Sequence, residues 1–136
     1  MDFKLSSATL DRTGVLLLSV DGELDISTAE QLAKPAAIAV RYGRPLVLDL
    51  SGCSFIDDEG LRFVLRMHNA LSSIGEGMVV VTDSPHVRKL LSMTAIDLSV
   101  DVFAEVDSAV AWLGGDGAKG ASLPASAVGG QTLALD

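Results

Sequence analysis

A chain of 136 residues is enough for one domain and leaves little for a second. With 49% hydrophobic residues it is not disordered overall, and with only 4% aromatics its core must be aliphatic. A net charge of −8 argues against nucleic acid or an anionic membrane as the main partner, since both need a basic face.

Residues 3–10 alternate loosely, as an edge strand does. Residues 11–14, DRTG, read as a hairpin turn into the apolar strand 15–20, VLLLSV, which Asp21 and Gly22 end. Ser27, Thr28, Ala29 and Glu30 fit a capping box with Ser27 as N-cap. Leu32, Ala33, Ala36, Ala37 and Val40 then follow at helical spacing. Pro35 should kink or restart this helix, which ends before Gly43.

Residues 46–50, LVLDL, predict a strand covered on at least one face, and residues 51–56 a loop. A second helix is expected from Asp58 onward. Leu61, Val64, Leu65, His68 and Leu71 fall on its buried face, widened by Phe63, Met67 and Ala70, and Gly75 and Gly77 stop it. Residues 78–82 are the next strand. Ser84 caps a third helix with Pro85 in its first position, and Val87, Leu90 and Leu91 form its buried face. A short strand at 100–103 and a helix at 106–113 close the pattern. Strand–helix alternation after a hairpin implies an α/β fold with a mixed sheet of four to five strands and about four helices over residues 1–113. Residues 114–136 are rich in Gly, Ala and Ser without a sustained period and read as a flexible tail, whose Thr132, Leu133, Ala134 and Leu135 could form a short docking peptide.

One cysteine, Cys53, cannot form an internal disulfide. The opening MDFKLSS does not read as a signal peptide, and no stretch approaches the ~20 apolar residues of a membrane span. The expected location is the cytoplasm.

The stretch FIDDEGL, residues 55–61, carries three successive acids, Asp57, Asp58 and Glu59. Adjacent residues on a chain starting a helix do not converge on one metal, and they do not flank a glycosidic bond. Receiver-type phosphoryl chemistry would want an acceptor after the third strand and a lysine after the fifth; Ser51-Gly52 follows LVLDL, and no lysine follows residues 100–103. Capping explains the acids locally, because an N-cap carboxylate satisfies orphan amides and first-turn acids favour the positive helix end. His68 and His86 have no Ser or Cys motif beside them. Cys53 lacks a histidine motif, and its loop placement leaves room for a redox-sensing role without a resolving partner. No phosphate-binding glycine loop is present, and no cofactor is implied.

Four segments in order, GELDISTAEQL (22–32), LVLDLSGCSFIDDEGL (46–61), MVVVTDSPHVRKLLSMTAID (78–97) and VDVFAEVDSAVAWL (100–113), resemble the STAS domain. More closely they resemble the stand-alone bacterial anti-sigma factor antagonists. The resemblance covers residues 3–113, and DLS…FID..GL is its most specific part. It implies a non-enzymatic α/β domain that binds an anti-sigma factor, usually a serine kinase of the histidine-kinase-like ATPase fold, and a homodimer is compatible with it. Binding frees the sigma factor, phosphorylation of a serine at the start of the second helix releases the antagonist, and a phosphatase resets it.

The family pattern there is close to Asp-Ser-Ser-Gly-Leu. Here Asp57 matches the leading aspartate, Asp58 stands where the phosphorylated serine is expected, Glu59 replaces the second hydroxyl residue, and Gly60 and Leu61 match. Serine phosphorylation at that position is therefore chemically impossible; Ser51 and Ser54 are the nearest substitutes. Two readings stay open. Asp58 mimics phosphoserine, partially, with one charge against nearly two, or it marks a binder that is unswitched or switched in another way; the second is preferred. The resemblance implies docking through Ser54, Phe55 and Ile56, then Asp57, Asp58, Glu59, Gly60, Leu61 and Arg62, with Gly22, Glu23 and Asp25 as neighbours. The alternative function is an interaction module of a stress-sensing or transporter-associated assembly that binds a small ligand or another STAS protein.

Overall fold

The computed structural model describes residues 4–10 and 14–114. β1 (Lys4–Leu10) pairs antiparallel with β2 (Val15–Leu24), which pairs parallel with β3 (Leu46–Ile56). β4 (Met78–Val81) and β5 (Asp101–Phe103) extend the sheet in parallel, so the strand order is β1-β2-β3-β4-β5. The mixed five-stranded sheet and four helices agree with the expected α/β class. The turn expected at 11–14 falls mostly on residues outside those described, as does all but the first residue of the expected tail at 114–136.

Each parallel connection carries one helix: α1 (Ile26–Tyr42), α2 (Asp58–Ser73) and α3 (Pro85–Met93). Right-handed crossovers between successive neighbouring strands place all three helices on one sheet face. The main core confirms this, joining Leu16, Leu18 and Leu48 of the sheet to Leu32 of α1, Val64 of α2 and Leu91 of α3. α4 (Val106–Gly114) packs on the opposite face, where Ala109 and Leu113 meet Val15, Val47, Val79 and Val81. Burial on both faces explains why LVLDL and MVVV read as nearly unbroken apolar runs.

Several local expectations are corrected. β2 does not stop at Asp21-Gly22 but runs to Leu24, and residues 51–56 are strand, not loop. The N-cap of α1 is Asp25, not Ser27: its backbone is extended, its carboxylate accepts from the Ser27 and Thr28 amides, and the Thr28 hydroxyl accepts from the Asp25 amide. α1 passes through Pro35 without restarting. The carbonyl that Pro35 cannot serve belongs to Gln31, an exposed residue, so water can satisfy it. The helix ends as expected before Gly43, which is left-handed (φ 62°) while the Arg44 amide returns to the Ala39 carbonyl. Leu65 faces solvent instead of the core. A single 3-10 turn at Ile96–Leu98, unforeseen in the sequence, seats Ile96 in the core before β5.

Ser84 and Pro85 begin α3 as expected, with the Ser84 hydroxyl accepting from the Val87 amide at 3.2 Å. Among the described residues no helix is long and apolar enough to cross a membrane.

Asp101 sits half-buried at the start of β5, and burial pushes its carboxyl up from 3.8 to about 6. The folded state therefore holds this proton more tightly than the unfolded chain does. That advantage is complete below pH ~4 and lost as pH rises through ~6. Asp101→Asn has no such loss. Urea titrations at pH 4 and pH 7 should show the variant gaining on the wild type by on the order of 1 kcal/mol, a figure already reduced for solvent screening of a partly exposed group. An equal difference at both pH values would contradict this assignment.

Candidate functional site

The helix starts of α1, α2 and α3 all lie at the C-terminal edge of the parallel strands, the edge where open α/β sheets place their sites. Two irregularities in the β2–β3 register, between Ser19 and Asp21 and between Gly22 and Glu23, let both strands continue beyond the sheet centre. Glu23 then pairs with Phe55 and Leu24 with Ile56. The Ser54 hydroxyl donates to the Gly22 carbonyl at 3.3 Å, and the Asp57 amide to the Leu24 carbonyl at 3.1 Å. These contacts bring the sequence-separated residues 22–25 and 54–62 into one surface.

Asp57 caps α2 as expected: its carboxylate accepts from the Gly60 amide at 2.9 Å. Asp58 and Glu59 occupy the first turn, where the helix dipole favours negative charge. Their surroundings differ. Asp58 is exposed, whereas Glu59 pairs with Arg62 at 3.0 Å. Ile56, Gly60 and Leu61 lie beneath the surface and support it. Gly60 is required by close approach, since a Cβ there would lie 2.5 Å from the Leu24 carbonyl oxygen and 2.8 Å from Ile56 Cγ1. Asp57→Ala should lower stability by ~1 kcal/mol in urea denaturation while Asp57→Asn is nearly neutral, because asparagine keeps the capping oxygen. An Asp57→Ala variant as stable as the wild type would exclude the cap as a stabilising contact.

Beside α2, Asp25 receives the Ser27 and Thr28 amides, mainly that of Thr28, and these hold its carboxyl below the usual value. The Thr28 hydroxyl also donates to the Glu23 carbonyl at 2.8 Å, tying the end of β2 to α1. Two apolar side chains stand out in this acidic surround: Ile26 is 58% exposed and Phe55 42%. Phe55 stacks on His86 of α3, with ring centroids 6.3 Å apart and planes 22° apart. Nothing in the sequence around His86 signalled this pairing, because it depends on how far β3 extends.

Cys53 also departs from expectation. It is a buried strand residue whose thiol donates to the Phe55 carbonyl at 3.1 Å, and burial pushes that thiol's pKa up. A protonated, shielded thiol is a poor redox sensor. His68 is half-buried on α2, and burial lowers its pKa. Among the described residues no group of three or more His, Cys, Asp or Glu side chains could hold a metal ion. The arrangement is a surface with exposed carboxylates and apolar side chains, suited to contact with a partner that is basic and partly apolar.

The model for the STAS domain matches residues 7–109. An anti-sigma F factor antagonist of Paenibacillus polymyxa is 32% identical over 85 residues, 61% of this chain and 73% of its own. The crystal structure of an anti-sigma factor antagonist from Mycobacterium paratuberculosis superposes with a TM-score of 0.71 at 28% identity, covering 81% of this chain and 94% of that one. The Bacillus cell fate determinant SpoIIAA in its phosphorylated form shares the fold, with a TM-score of 0.61 at 20% identity over 81% of this chain and 97% of that one.

Proposed function

The chain belongs to the STAS domain family, and from that premise we propose that it is an anti-sigma factor antagonist. In this reading it is a cytoplasmic binding module, not an enzyme. It docks on a kinase-type anti-sigma factor and so regulates sigma-dependent transcription. The observation that carries the reading is the exposed Asp58 at the start of α2, set among Phe55, Ile26 and the capping aspartates. The contact surface is drawn from Gly22, Glu23, Asp25, Ser54, Phe55, Asp57, Asp58, Glu59 and Arg62, seated on Ile56, Gly60 and Leu61.

Physical chemistry says how such a site would be switched in a relative bearing serine. A phosphate at a helix N-terminus meets free amides and a favourable dipole, so the fold tolerates it. The same charge in the contact surface penalises association through repulsion and desolvation. Asp58 offers no hydroxyl to phosphorylate, and its carboxylate is built into the chain instead of being added and removed. We take the partner to accommodate that charge with a basic side chain, which makes the chain an antagonist that serine phosphorylation at this position cannot turn off.

Calorimetric titration against the kinase-type anti-sigma factors of the same genome tests this. The wild type should bind one of them with ATP present and take up no phosphate at position 58. If neither the wild type nor Asp58→Ser binds any, the reading is lost. If only Asp58→Ser binds, Asp58 instead holds the chain in a phosphorylated-like, weak-binding state.

A further inference from the structure

A groove of about 540 Å³ runs between α1 and α2, beginning beside the Asp58 surface. Its apolar lining is Ala29, Ala33, Phe63, Met67 and Ala70, with the exposed Ile26 at the end nearest Asp58. Phe63 and Met67 are buried at its base, and the small alanines leave the space open. The charges along it are sorted. Glu30 and Glu59 lie toward the helix starts, and Arg66 lies a turn or more further along α2. Glu59 is already paired with Arg62, whereas Glu30 and Arg66 have no ion pair among the described residues.

We propose that this groove receives an apolar side chain from a helix of the anti-sigma partner, with a Lys or Arg of that helix meeting Glu30. The proposal rests on the antagonist reading and deepens it. Charge complementarity selects the occupant. An apolar anchor matches the alanine and aromatic lining, a base matches the acidic end next to Asp58, and an acid further along matches Arg66. The segment therefore lies in one direction, its basic end toward the start of α2. An apolar anchor in a pocket ringed by charged side chains is the usual form of an interface hot spot.

Purified wild type, Ala33→Trp, Glu30→Lys and Lys34→Glu are titrated against the anti-sigma factor that binds the wild type, with circular dichroism verifying each fold. Ala33 is an exposed helical residue, so tryptophan there fills the groove without entering the core. Ala33→Trp and Glu30→Lys should each weaken binding by about tenfold or more, and Lys34→Glu, on α1 but outside the groove, should not. If Ala33→Trp binds like the wild type while Asp58→Arg binds poorly, the docking surface stands and the groove proposal falls. If neither the wild type nor Asp58→Ser binds any anti-sigma factor, the antagonist reading falls and takes this proposal with it; if only Asp58→Ser binds, the same groove substitutions are read on that background. Sedimentation of the isolated chain supplies a separate check: a dimer that Ala33→Trp dissociates would make a second copy the occupant and overturn the proposal.

Discussion

Gly60→Ala should destabilise the protein by about 2–4 kcal/mol and lower its melting temperature by on the order of 10 °C. An added Cβ would meet the Leu24 carbonyl oxygen at 2.5 Å, Ile56 Cγ1 at 2.8 Å and Leu24 Cγ at 2.9 Å. The first of these is backbone, and it cannot rotate away. Moving it would also disturb the Asp57 amide bond to the same carbonyl, which fastens the start of α2 to the end of β2. Leu24 and Ile56 are fully buried, so neither side chain can swing into solvent.

Gly43 provides the contrast. It is left-handed, but a Cβ added there would meet nothing within 4 Å, so Gly43→Ala costs only the conformational penalty of about 1–2 kcal/mol. Thermal and urea unfolding of both variants separates crowding from backbone conformation. A Gly60→Ala protein as stable as the wild type would show that α2 does not depend on this close approach. Because the helix start would shift, partner binding should weaken as well, even where the variant remains folded.

The second large effect concerns binding. Asp58→Arg should weaken association with the anti-sigma factor by about tenfold to a hundredfold, mainly through slower association, and the loss should shrink as salt is added. Asp58 is exposed and makes no cap hydrogen bond of its own, so folding should lose no more than the ~0.3–1 kcal/mol of a first-turn charge. Asp58→Ser restores the hydroxyl. On the proposed reading of the partner as a kinase-type anti-sigma factor, it should bind when unphosphorylated, accept phosphate in the presence of ATP, and dissociate once the added charge approaches two. Stopped-flow association rates at two salt concentrations, with phosphate incorporation followed by mass spectrometry, resolve these steps. Unchanged affinity on charge reversal would remove Asp58 from the contact surface.

Much of this protein is local physical chemistry and could be read from residues alone. The strands at 46–50 and 78–81 are apolar because both sheet faces are covered. The helix from Asp58, its Asp57 cap, the Ser84-Pro85 start and the Gly43 stop each depend on side chains within a few positions of one another. The acidic start of α2, and its departure from the serine pattern at Asp58, were equally plain.

Tertiary structure decided the rest. Residues 51–56 show burial only at Cys53 and Ile56, because the irregular β2–β3 register breaks the two-residue period that marks a strand. Strand identity there comes from pairing with residues 21–24, some thirty positions away, which no local window contains. That same extension buries Cys53, sets Phe55 on His86 and lays residues 22–25 against the start of α2. The choice of Asp25 over Ser27 as cap follows from where β2 ends, since an N-cap must still be extended when the helix begins. The groove between α1 and α2 likewise exists only once two helices, each ordinary alone, are set side by side on one sheet face with alanines between them. Sequence determined the elements and the charge at Asp58, while long-range strand pairing determined which residues share that surface.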